Sequence, residues 1–130
     1  MTSLGKSAIV LTVALVPALI ACNRTSPIHN VTNAVATIKP AKLDEIRNAI
    51  ERGGQSLGWE MLPAGPGHVV GTLYVRDHMA QVDIPYTTSS YSINYKDSHN
   101  LDYDGSNIHS NYNGWVRELD QAIARQLAAL

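Results

Sequence analysis

Phenylalanine is absent from this 130-residue chain, and cysteine occurs once, at Cys22. A lone cysteine excludes an intrachain disulfide and any thiolate-rich metal site. An excess of one charge is missing too, since 10 Lys and Arg stand against 11 Asp and Glu for a formal net charge of -1. The basic residues are scattered. This argues against nucleic acid as a partner, because neutralising phosphates needs a concentrated basic face. No uninterrupted apolar run reaches the roughly 20 residues of a spanning helix. The remaining composition, 45% hydrophobic and 16% charged, is that of one globular domain rather than a disordered or multi-span chain.

The aromatic residues present are Tyr74, Tyr86, Tyr91, Tyr95, Tyr103 and Tyr112, with Trp59 and Trp115. Tyrosine buries a ring while keeping a polar tip, so a small core built from it is wet at its edges.

The chain opens with Lys6 ahead of an apolar run, Ala8 to Ala21, broken only by Thr12 and Pro17. That is the layout of a secretory signal, expected over residues 1–21. At its end, Leu19-Ile20-Ala21-Cys22 resembles the lipobox of bacterial lipoproteins. The resemblance implies that Cys22 receives a diacylglyceryl thioether and becomes the mature amino terminus, tying the protein to a membrane. Each buried methylene contributes about 0.8 kcal/mol, so two or more acyl chains suffice for stable anchoring. Among Gram-negative lipoproteins an Asp after the cysteine resembles an inner-membrane retention signal. Asn23 stands here, so the expected location is the outer membrane, facing the periplasm.

Residues 22–40 are expected to form the lipidated cysteine and a tether rich in Ser, Thr, Asn and Pro. Val31 to Ile38 is β-branched enough to serve equally well as an added amino-terminal edge strand. The domain proper is expected over residues 41–130. Leu43, Ile46, Ala49 and Ile50 share one helical face, predicting a helix from about Ala41 to Arg52 with Gly53-Gly54 as its stop. Four β-like runs follow: Leu57 to Leu62, Val69 to Arg76, Met79 to Tyr86 and Ser90 to Lys96. A final helix, about Asn111 to Leu127, sets Tyr112, Trp115, Leu119, Ile123 and Leu127 on one stripe, with Ser110 as cap. The expected fold is α+β, a four-stranded antiparallel meander with two helices on one face, in the order α-β-β-β-β-α.

Val82-Asp83-Ile84-Pro85-Tyr86, Tyr91-Ser92-Ile93-Asn94-Tyr95-Lys96-Asp97-Ser98, Asn100-Leu101, Asp104-Gly105, Ile108-His109 and Tyr112-Asn113-Gly114-Trp115-Val116 form a dense pattern. With Leu57-Gly58-Trp59, it resembles a family of small Gram-negative lipoproteins of unknown function, over about Leu43 to Ile123. The resemblance implies an exported α+β domain, brings no reaction with it, and directs attention to Tyr91–Trp115.

Within that stretch, Asn100, Asp102, Asp104 and Gly105 reproduce the opening of a calcium loop. Asn111, the twelfth position of a loop that begins at Asn100, cannot supply the closing bidentate carboxylate, so a plain turn is favoured and no metal is expected. His109 with Asp102 or Asp104 is the alternative centre for a small hydrolase or metal-dependent enzyme. Asp97-Ser98-His99 holds the residue types of a triad, but three adjacent positions cannot converge. The leading expectation is a non-enzymatic envelope module that needs no cofactor and binds a protein or peptidoglycan partner. Its candidate binding residues are Tyr95, Asp97, Asp102, Tyr103, Asp104, His109, Tyr112 and Trp115. For Tyr91, Tyr95, Tyr112 and Trp115 the favoured reading is that they are simply the core between sheet and last helix, as their spacing predicts.

Overall fold

The computed structural model describes residue 5 and residues 8–14 and 24–130; Cys22 and the expected cleavage point lie outside them. Among the described residues, seven strands and two helices follow one another as β1 (Thr25–Pro27), β2 (Val31–Val35), α1 (Leu43–Ser56), β3 (Glu60–Pro63), β4 (His68–Val75), β5 (His78–Pro85), β6 (Ser90–His99), β7 (Asn107–His109) and α2 (Ser110–Ala128). The fold is α+β. Five strands form one antiparallel sheet in the order β2-β6-β5-β4-β3, and β1 pairs with β7 in a separate two-stranded ribbon. The expected meander is therefore present as β3 to β6, enlarged by a fifth strand. Residues 31–35 take the edge-strand alternative, with Val31 opposite Ile93 and Val35 opposite Ser90.

Alternation explains the layering. Val69, Ala80, Val82, Ile84 and Ile93 are buried on the inner face of the sheet, against Ile46, Ala49 and Ile50 of α1 and Tyr112, Val116, Leu119 and Ile123 of α2. Each of the valine, leucine and isoleucine side chains among them contributes about 1.5–3 kcal/mol by leaving water. The outer face carries the polar alternates. Gln81 donates to Thr72 Oγ1 at 3.1 Å, and Asp83 accepts from His68 Nε2 at 2.7 Å with Lys96 Nζ 3.5 Å away.

Two helix ends differ from expectation. Gly53-Gly54 does not stop α1, which runs on to Ser56. A Cβ on Gly53 would stand 2.8 Å from the Ile123 backbone, and one on Gly54 would collide with Met61. Both glycines are there for close packing. The stop is Gly58, at φ +86, whose N–H bonds the Gln55 carbonyl while the Trp59 N–H bonds that of Gly54. That is a Schellman closure, which needs a left-handed residue at this position. At α2 the cap is His109 rather than Ser110: its Nδ1 accepts the Asn111 N–H at 3.1 Å.

The stretch expected as a tether is largely folded. Thr25 faces His109 and Pro27 faces Asn107. The Arg24 carbonyl accepts the Ser110 N–H at 2.8 Å, and the Ile28 N–H donates to the Ser106 carbonyl at 3.0 Å. Asn113, only 2% exposed, completes the attachment. Its Oδ1 accepts the His29 N–H, and its Nδ2 donates to Ser26 Oγ and the Pro27 carbonyl, all at 2.9 Å.

Candidate functional site

The end of β6 and the loop that follows enclose a concavity of about 460 Å³, bordered by residues 95–103. Four of the sequence-selected residues, Tyr95, Asp97, Asp102 and Tyr103, line it. A bulge sets their directions. Val82 faces Tyr95 while Gln81 faces Asp97, so Lys96 is the extra residue and the alternation of β6 reverses there. Tyr95 stays on the inner side with Ile93, whereas Asp97 turns to the outer face opposite Gln81. Ser98 is brought inward, where its Oγ lies 2.7 Å from the Tyr95 hydroxyl.

Three tyrosines stack at this place. The Tyr95 and Tyr103 ring centroids are 4.1 Å apart with 30° between planes, and Tyr112 meets Tyr95 edge-on at 5.7 Å and 69°. Tyr103 is the outermost, 41% exposed. Tyr112 is fully buried, and its hydroxyl has no hydrogen-bond partner among the described residues. Burial pushes the Tyr112 phenol above its ordinary range, and the neighbouring Tyr95 and Tyr103 phenols add to the rise. Tyr95 is also raised by burial, against the opposing bond to Ser98.

The loop beyond is held by its own backbone. Asp104 Oδ1 accepts the N–H groups of Asn107 at 2.7 Å and Ser106 at 2.9 Å, and these bonds keep its carboxyl below the usual range. This is a turn-stabilising Asp, as the plain-loop reading expects. Asn100 donates to Asp77 Oδ2 at 2.8 Å instead of presenting its side chain beside Asp102 and Asp104. Among the described residues no group of three or more His, Cys, Asp or Glu is placed to hold a metal ion.

His109 and Trp115 form a second cluster on the other flank of the loop. The His78 ring lies 6.5 Å from His109 and 6.4 Å from Trp115, and its Nδ1 is 2.7 Å from the Asn100 carbonyl. His78 precedes Ala80 and Val82 on the same strand parity, so it points to the helix side of the sheet rather than out of a turn. His109 makes no hydrogen bond or ion pair with Asp102 or Asp104 among the described residues, and its Nδ1 is committed to the helix cap. The sequence-selected set is thus divided. Tyr95, Tyr103 and Tyr112 come together with Asp97 and Asp102 at the rim; His109 and Trp115 gather around His78; Asp104 serves the turn.

Three contributors escape a reading of the sequence: His78, Ser98 and Asn113. Ser98 is turned inward by a bulge that no residue type announces. Asn113 stands beside Tyr112, where an amide suggests a wet cleft, yet its partners lie 84 to 87 residues away in the chain. No protein-family model and no curated protein matches this chain.

Proposed function

We propose that this is a lipid-anchored envelope protein whose domain is a non-catalytic binding or accessory module, engaging a protein or cell-wall partner through the concavity beside Tyr103. The observation that carries the reading is the Tyr95–Tyr103 pair at the edge of the ~460 Å³ recess, whose lining includes Asp97 and Asp102. An aromatic surface with a few polar groups around it suits a sugar ring or an extended peptide, which offer apolar faces between hydroxyls or amides. The lipid at Cys22, implied by Leu19-Ile20-Ala21-Cys22, supplies the address.

The test uses the full chain expressed in a Gram-negative host. A photo-crosslinking residue at position 103 is expected to capture one envelope protein in native membranes, or the purified protein is expected to sediment with isolated peptidoglycan. Tyr103→Ala should weaken whichever interaction is found by about tenfold, the scale of about 1.4 kcal/mol for a lost aromatic contact. Cys22→Ser should move the protein from the membrane fraction to the soluble one. A crosslinker that captures nothing, together with no sedimentation, sinks the binding role; membrane retention of Cys22→Ser sinks the anchor.

A further inference from the structure

Resting on the lipid anchor proposed above, we infer that the protein has no free leash: it stands on the bilayer with the amino-terminal end of α2 and the loop 102–111 against the lipid headgroups. The geometry is set by the short stretch of chain from Cys22 to Arg24. Two peptide units separate Cys22 from Arg24, a reach of at most about 7 Å. Arg24 is already fixed, because its carbonyl takes the Ser110 N–H at the first turn of α2. Pairing of β1 with β7 and the three bonds of Asn113 then hold residues 25–29 to the same end of the domain. Any acyl chains on Cys22 are therefore tethered within about 12 Å of the first turn of α2.

α2 has 19 residues, so its far end lies about 28 Å from this point. That end carries an open apolar groove of about 300 Å³ between residues 35–39 and 124–130, and it is held away from the anchor. The anchored end has a different chemistry. Arg24, Asp102, Tyr103, Asp104, Ser110 and Asn111 are all exposed there, offering one cation, two carboxylates and an aromatic ring. Opposite charges of that kind match a zwitterionic headgroup layer, whereas the two carboxylates oppose a strongly anionic one. Tyr103, 41% exposed with its ring against Tyr95 and its hydroxyl donating to the Gly105 carbonyl at 3.4 Å, suits the headgroup level at which tyrosine is favoured. The recess beside Tyr103 then opens along the membrane surface, so its ligand is one presented at that surface.

Because the chain has one cysteine and acylation consumes it, Asn111→Cys and Ala128→Cys each give a single reactive thiol on an exposed helix position. The acylated full chain, labelled with a fluorescent donor, is bound to phosphatidylcholine vesicles carrying an acceptor on the headgroup. Energy transfer from position 111 is expected to exceed that from position 128 by about threefold or more, given the ~25 Å of helix between them. Ten Gly and Ser residues inserted between Asn23 and Arg24 should shrink the difference. Equal transfer from both positions in the uninserted chain, or a difference untouched by the insertion, overturns the inference while leaving the anchor intact. If the Cys22→Ser chain still floats with the vesicles, the anchor reading fails and this inference with it.

Discussion

Asn113 shows how much one buried amide can decide. Its three hydrogen bonds join α2 to residues 26, 27 and 29, and it is shielded from water. Asn113→Ala leaves the Pro27 carbonyl and the His29 N–H without that partner and is expected to cost about 2–3 kcal/mol in urea unfolding. Amide exchange should quicken at residues 25–29 before it does in the five-stranded sheet; uniform exchange would refute this local role. Tyr112 presents the opposite case. Its hydroxyl lies buried with no partner among the described residues, a state that costs about 1–3 kcal/mol. Tyr112→Phe keeps the ring between sheet and helix, so it should raise the unfolding midpoint by the equivalent of about 1 kcal/mol. A loss of stability would mean that the hydroxyl is satisfied in solution.

Among the elements, periodicity served best where one face is apolar over a long run. Leu43, Ile46, Ala49 and Ile50 announce α1, and Ala80, Val82 and Ile84 announce β5, because burial of one face imposes the spacing. Elements whose reason is a distant partner could not be read. β1 and β7 are three residues each and exist only as a pair. The bulge at Lys96 belongs to the fit between two strands, β5 and β6. Gly53 is the instructive misreading: local preference makes it a helix stop, while the approach of α2 makes it a contact. Gly53→Ala gains about 1 kcal/mol of helix propensity, yet its Cβ would meet the Ile123 backbone, which cannot swing aside. The expected balance is a destabilisation of about 2 kcal/mol, measured by chemical denaturation, since forcing a packed pair apart outweighs propensity. A more stable variant would show that the two helices separate freely.

At the scale of the whole molecule, the tyrosine-rich core that replaces phenylalanine sets an alkaline limit. Burial raises Tyr91, Tyr95 and Tyr112, and Tyr91 is raised further by the bond it donates to Asp120 at 2.5 Å. A phenol whose pKa is higher in the folded state than in the unfolded one contributes stability that is complete below the unfolded value near 10. That stability is lost as pH rises through the folded value. Cooperative unfolding is therefore expected above pH 10, with the 295 nm phenolate absorbance of these three groups appearing together with the loss of circular dichroism. Phenolate absorbance that develops fully in a still-folded protein would refute it.

The pairing of β1 with β7 also orders events in time. Thr25–Pro27 appear early in synthesis and Asn107–His109 late, and the pairs that close the ribbon span 80 to 84 residues. Closing so long a loop is slow, so the first strand made is among the last to find its place. Until then Thr25–Pro27 lack the partner strand that gives them their place.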